Sequence, residues 1–223
     1  MLIIKTKNYN KLSKIACEII IKEILKKPNI NIGFATGSTP LGLYKKLVSA
    51  YKKKKVDFSK IASFNLDEYY PIKKSNKKSY YYYMFKNLFN HINIKKSNIN
   101  LLNGETKNPD KECRDYENKI KKNPIDIQIL GVGVNGHIGF NEPGSDFNSL
   151  TRLVELADFK EKALTVGIKT IMKSKKIILL ASGKNKKSAI RCLIKGNINK
   201  KCPVSILRRH KNLVVIADRE MFD

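Results

Sequence analysis

The sequence predicts an α/β protein with a doubly wound, mainly parallel sheet and helices on both faces. Three observations carry this. Short apolar runs of strand length recur along the chain, helix-length segments with apolar stripes separate them, and glycine, serine, threonine and proline cluster at the junctions. Such alternation builds βαβ units, whose parallel strands are buried on both faces and read as continuous apolar runs.

Taken in order, residues 2–4 suit a first or an edge strand. Residues 11–27 form an amphipathic helix with Leu12, Ile15, Ala16, Ile19 and Ile20 on one face; Glu23 interrupts the stripe and Pro28 closes it. A second strand over 31–35 leads through Thr36, Gly37, Ser38 and Thr39 into a helix over about 40–53, with Thr39 fitting the N-cap and Pro40 the first helical position. The strand over 61–66 delivers Asp67 and Glu68 at its end, and because side chains alternate along a strand, only one of the two is expected to face a cleft. The tyrosines at 69, 70 and 80–83, interleaved with lysines, read as a tyrosine-rich helix packed under a loop in preference to a stacking platform for single-stranded nucleic acid. A short strand over 99–102, a helix over 109–122 that begins with acidic residues, and a strand over 125–130 follow. Residues 163–166, 176–181 and 213–217 complete the strands, with a helix over 185–194. No repeat or linker divides the 223 residues, which read as one domain.

The chain is 42% hydrophobic, enough for one sizeable core without disulfide staples. No run reaches the length of a membrane span, and the first residues lack the apolar core of a signal peptide, so a cytoplasmic location and no membrane partner are expected. Cys17, Cys113, Cys192 and Cys202 show neither close pairing nor metal-ligand spacing with the three histidines; reduced, structural thiols are expected, and no metal or other cofactor. The formal charge of +26 taken alone points to nucleic acid. Only six of the 45 basic residues are arginine, however, and the lysines are spread along the chain, so no nucleic-acid partner is expected. The densest cluster, Lys52 to Lys55, closes a helix, where cations suit the macrodipole.

Chemistry concentrates in Leu130 to Pro143, read Leu-Gly-Val-Gly-Val-Asn-Gly-His-Ile-Gly-Phe-Asn-Glu-Pro. Four glycines permit positive φ or close approach, while His137 and Glu142 supply the titratable side chains at the end of a strand, where open α/β sheets bind ligands. Gly136 to Pro143 closely resembles the signature of the glucosamine-6-phosphate deaminases. Ala35 to Pro40, Phe64 to Tyr69, Ser79 to Tyr81, Asn100 to Gly104 and Ala163 to Gly167 resemble further segments of that family in the same order, so the resemblance covers nearly the whole chain. The sister 6-phosphogluconolactonases share the fold but differ after the Gly-His pair.

The resemblance implies a Rossmann-like fold, in agreement with the pattern above, and metal-independent conversion of glucosamine 6-phosphate and water into fructose 6-phosphate and ammonium, in amino-sugar catabolism. It implies that His137, held by Glu142, opens the sugar ring; that Asp67 moves a proton between C2 and C1; and that Thr36, Gly37, Ser38, Thr39 and Lys186 bind the phosphate or sugar hydroxyls. The partner is then a small sugar phosphate, and the protein a monomer or small homo-oligomer. A sugar-phosphate sensor that has lost turnover is the alternative.

Three departures stand out. Asn135 occupies a position where many members carry an aspartate that helps orient the histidine. The segment 144–162 is shorter than in the family and lacks the arginine of its mobile cover, so an open site with a raised KM is expected unless Lys160 or Lys162 substitutes. Arg152 aligns with one cation of the pair used by allosteric members, but Val154 stands where the second is expected, and no allosteric activation is predicted.

Overall fold

A computed structural model describes residues 1–156 and 161–222. In chain order the elements are β1 (Leu2–Thr6), α1 (Tyr9–Lys26), β2 (Asn31–Phe34), α2 (Leu41–Lys52), β3 (Ala62–Asn65), β4 (Asp67–Tyr70), α3 (Tyr80–Asn87), β5 (Ile99–Asn100), α4 (Pro109–Lys122), β6 (Ile127–Gly131), β7 (Arg152–Glu155), β8 (Lys162–Thr165), α5 (Ile168–Ile171), β9 (Lys176–Ala181), α6 (Lys187–Lys195) and β10 (Leu213–Asp218). Seven strands form one sheet in the order β1-β10-β9-β6-β2-β3-β5, parallel throughout. The predicted doubly wound α/β fold is therefore the one observed.

Alternation along the central strands sends side chains into two cores. Ile177, Leu179 and Ala181 meet α4, α5 and α6 on one face through Tyr116, Ile120, Ile171, Ile190 and Leu193. Ile178 and Leu180 meet the opposite core, to which α1 and α2 contribute Leu12, Ala16, Ile20, Leu43 and Leu47. Glu23, the interruption in the α1 stripe, is explained by tertiary contact: its carboxylate pairs with the ammonium of Lys176 at the start of β9.

Two sequence expectations are corrected here. Residues 163–166 were expected among the buried strands of the parallel sheet, but β8 lies in a separate three-stranded sheet, antiparallel to both β4 and β7. An apolar run declares burial, not its pairing partner, and neither four-residue partner strand announces itself in the sequence. The cysteines are not all thiols: Cys192 and Cys202 are bonded, the segment after α6 turning back to bring their Cα atoms within 6.8 Å. Ten residues of separation do not reveal that return. Cys17 and Cys113 are buried free thiols, and burial pushes each up to about 11.

The strand order also fixes where a ligand can sit. From β2 the chain winds by α2 to β3 on one side, whereas from β6 it proceeds to β9 on the other, so the connections leaving these neighbours diverge. Such a switch point opens a crevice at the C-terminal strand ends. No described helix is long and apolar enough to cross a membrane.

Candidate active site

A cleft of about 360 Å³ occupies that crevice. Thr36, Gly37, Ser38 and Thr39, following β2, form one wall with Lys186; Gly131 to Val134, His137, Gly139 and Phe140, following β6, form the other; Asp67 and Tyr80 lie between them. Most of the predicted site residues are thus brought together from four separate parts of the chain. Asn135 and Glu142 stand behind His137 without lining the cleft.

Asp67 opens β4, directly after β3 ends. It is 5% exposed, and its Oδ1 is buried with no hydrogen-bond partner among the described residues. Burial and the neighbouring Glu68 charge raise the carboxyl to about 8, the Thr36 hydroxyl pulling it back in part. Gly139, at φ +57°, gives this carboxylate room: a Cβ there would come 3.2 Å from Asp67 Oδ2 and 3.3 Å from Thr165 Oγ1. Glu68 faces elsewhere, as strand alternation predicts. Its carboxylate accepts N–H bonds from Tyr69, Tyr80 and Tyr81 at 2.8–2.9 Å, anchoring the start of α3. The same helix start is capped by Ser79, whose Oγ accepts the Tyr82 N–H.

His137 lies over Gly133, where any Cβ would fall 2.3–2.5 Å from ring atoms. Glu142 Oε1 stands 3.0 Å from its Nδ1, off the line of a good hydrogen bond, and no described side chain or backbone group bonds Nε2. Asn135 completes the arrangement differently from expectation. Its Nδ2 donates to Glu142 Oε2 at 2.7 Å and its Oδ1 accepts the His137 backbone N–H at 3.1 Å; it touches the loop and the carboxylate, not the ring. Asn141, fully buried, ties this loop to the rest of the fold by donating to the carbonyls of Ile138 and Val166, both at 2.9 Å. Arg152 donates from Nη1 to Asn141 Oδ1 at 2.9 Å, so it braces the loop.

Thr39 is not the N-cap of α2. Pro40 precedes the helix in the right-handed region without a side-chain cap, and Thr39 Oγ1 instead accepts from Lys186 Nζ at 2.8 Å. This bond singles out Lys186 from its lysine neighbours, which spacing alone could not do. Burial lowers its ammonium from the usual value. Sequence reasoning missed Tyr80 and Phe140 as walls of the cleft; their rings stack at 5.8 Å and 6° between planes. Phe140 lay in the signature string, but nothing local revealed its partner.

The family model for glucosamine-6-phosphate isomerases and 6-phosphogluconolactonase matches residues 5–216. The chain belongs to that family. A glucosamine-6-phosphate deaminase of Clostridium novyi (strain NT) is 51% identical over 236 residues, covering 99% of this chain and 98% of the relative. One from Thermoanaerobacter sp. (strain X514) is 48% identical over 236 residues, with 99% and 93% coverage. Among solved structures, a monomeric glucosamine-6-phosphate deaminase superposes with a TM-score of 0.96 at 39% identity, over 100% of this chain and 99% of that one. A 6-phosphogluconolactonase from Thermotoga maritima shares the family fold, with a TM-score of 0.81 at 22% identity, over 97% of this chain and 98% of that one.

Asn135 also yields a prediction. Asn135→Asp keeps an acceptor for the His137 N–H but places a second negative charge against Glu142, beside the imidazole, which favours the imidazolium. The ring-proton NMR signals of His137 are expected to titrate at higher pH in the variant than in wild type. Signals that titrate at the same pH in both mean that residue 135 serves the backbone alone.

Proposed function

We propose that the chain is a glucosamine-6-phosphate deaminase, converting glucosamine 6-phosphate and water into fructose 6-phosphate and ammonium. The observation that carries this is a buried carboxylate with a raised pKa and an unpartnered oxygen, Asp67, sharing one cleft with a carboxylate-held imidazole and a lysine-backed Thr36–Thr39 wall. The deaminases that match along nearly the whole chain support the same reaction.

His137 Nε2 accepts the proton of the anomeric hydroxyl and a proton is returned to the ring oxygen as the C1–O5 bond breaks, giving the open-chain aldose. Glu142 holds Nδ1 on the far side and stabilises the cation formed. Ionised Asp67 then removes the C2 proton while a proton passes from the C2 ammonium to O1, giving an enolamine, and return of the proton from Asp67 to C1 leaves a C2 iminium. Water adds to C2, the C2–N bond breaks, and ammonium departs with the ketose. Because water cleaves a carbon–nitrogen bond, the activity is that of a hydrolase, placed in amino-sugar catabolism. The Thr36–Thr39 loop and Lys186 hold the phosphate, and the lysine-rich surface raises the local concentration of such an anion. A monomeric, cytoplasmic enzyme of one domain fits this reading.

Ammonium and fructose 6-phosphate appearing from glucosamine 6-phosphate incubated with the purified chain test the proposal. Binding without turnover identifies a sensor instead.

The segment 144–162 contributes no lining residue to the cleft among its described residues; its later part runs into the β7–β8 hairpin. Lys162 does not reach over the phosphate wall: its Nζ stands 3.3 Å from Glu155 Oε1, while Lys160 lies outside the described residues. The relatives' alignments span 236 positions against 223 residues here, consistent with a shortened cover. A missing charge-assisted contact to phosphate is worth about 1.5–3 kcal/mol. KM is therefore expected above about 1 mM, insensitive to Lys162→Ala and lowered by grafting in a longer segment. Steady-state kinetics showing a tenfold KM rise for Lys162→Ala, or no change on grafting, defeat this.

A further inference from the structure

The Thr36–Thr39 loop has an unusual backbone balance. Its N–H groups at Gly37, Ser38 and Thr39 donate to no acceptor among the described residues, while its carbonyls are all but one engaged by tyrosine hydroxyls. Tyr83, from α3, donates to the Gly37 carbonyl at 2.6 Å. Tyr9, from the first turn of α1, stands 3.0 Å from both the Ser38 and Thr39 carbonyl oxygens and accepts the Gly42 N–H at 2.6 Å. Tyr44 adds a bond to the Ala35 carbonyl just upstream, and its ring meets that of Tyr83 edge-on at 6.4 Å. Neither Tyr9 nor Tyr83 lines the cleft. Gly42 has no room for a side chain, since a Cβ would fall 2.3 Å from Ser13 Oγ and 2.9 Å from the Tyr9 ring.

These contacts place both hydroxyls behind the loop. A peptide plane is rigid, so anchoring the Gly37 carbonyl on one side turns the Ser38 N–H to the other, and anchoring the Ser38 carbonyl does the same for the Thr39 N–H; the Thr39 carbonyl precedes Pro40, which has no N–H, so its bond fixes the loop without aiming a donor. Gly37, at φ +97°, is the residue about which the loop can most readily flip. A flipped peptide presents a carbonyl oxygen where an anion needs a donor.

We propose that Tyr9 and Tyr83 are positioning residues of the Thr36–Thr39 loop, holding the Ser38 and Gly37 carbonyls behind the cleft so that the Thr39 and Ser38 N–H groups meet the phosphate of the substrate. The inference rests on the reading of this loop as the phosphate wall. Burial raises the Tyr83 hydroxyl above its usual value, which keeps it a donor at any working pH. Tyr9, by taking up the Gly42 N–H, also fixes the loop against the first turn of α2.

The test uses Tyr9→Phe, Tyr83→Phe and the double variant, which keep the rings and remove only the hydroxyls. Tyr82→Phe, on the same helix but with no hydroxyl bond among the described contacts, is the control. For glucosamine 6-phosphate turnover, each single variant is expected to raise KM about three- to tenfold, and the double variant about thirtyfold, with kcat within twofold. The inhibition constant of inorganic phosphate should rise in parallel. Melting temperatures and Tyr82→Phe should barely change. KM and phosphate inhibition within twofold of wild type, or a raised KM accompanied by a lowered kcat and a drop in melting temperature, overturn the proposal. Titration calorimetry with inorganic phosphate repeats the comparison without turnover. A wild-type chain that binds phosphate but releases no ammonium therefore sinks the deaminase reading while still deciding the clamp.

Discussion

Asp67→Asn is expected to cost about 10³-fold or more in kcat, and to make the protein more heat-stable. A single positioned proton transfer contributes typically 10²–10⁴-fold, and Asp67 is assigned both the removal from C2 and the delivery to C1. An amide fills the same buried space but accepts no proton. The stability change follows from the same burial. The folded carboxyl is raised to about 8 from its ordinary 3.8, so folding favours the neutral form. Stability linked to this group is fully present below the unfolded value and is lost progressively as pH rises toward the folded one. Each tenfold gain in proton affinity corresponds to about 1.4 kcal/mol, and relaxation discounts the total. The asparagine variant, which never ionises, should therefore gain on wild type between pH 4 and pH 8 and hold that gain above. With about 2–4 °C per kcal/mol for a chain of this size, a melting temperature at least about 5 °C higher at pH 8.5 is expected, with little difference at pH 4. The corresponding activity signature in wild type is a kcat/KM that climbs with pH toward about 8 as the carboxylate forms. The acid limb of kcat should lie lower, because the substrate's ammonium at C2 favours the ionised carboxylate. An active Asp67→Asn, or one that is less stable at alkaline pH, removes Asp67 from this role.

His137→Gln is expected to lower kcat by about 10²–10³-fold while leaving an acyclic ligand untouched. The histidine is assigned ring opening, one of the two proton-transfer tasks, and glutamine retains polarity but not basicity. Its effect should therefore depend on whether the ligand has a ring. The reduced open-chain analogue, the 2-amino alditol 6-phosphate, needs no opening and should bind the variant within about threefold of wild type, because the wall proposed for the phosphate, with Thr39 and Lys186, lies opposite. Glu142→Gln should fall between wild type and His137→Gln, since it removes the charge 3.0 Å from Nδ1 but keeps the imidazole. Steady-state turnover and competitive inhibition measure both arms. Equal losses in turnover and in binding of the acyclic analogue mean that His137 merely shapes the cleft, and unimpaired turnover removes it from ring opening.

The sequence alone determined the fold class and most of the residues at the cleft. Runs such as Lys176–Ala181 and helices such as Pro109–Lys122 were legible because burial on both faces and along one stripe are local patterns, and both were delimited by residues that stop them. The string from Gly136 to Pro143 brought out His137 and Glu142 through its resemblance to the deaminase signature, and one short loop suffices to bring the two side chains together. What the tertiary structure decided is everything that depends on a second segment. It places Asp67, the carboxylate that the resemblance named, in the cleft and sends Glu68 to the start of α3. It ties Lys186, which the resemblance named, to Thr39, 147 residues away, and Thr39 makes that bond in place of capping α2. It moved β8 into a second sheet, bonded Cys192 to Cys202 and turned Asn135 toward Glu142. Periodicity reports which face of an element is buried, because that is a property of neighbours along the chain. It does not report against what, because that is set by which elements the sheet order brings together.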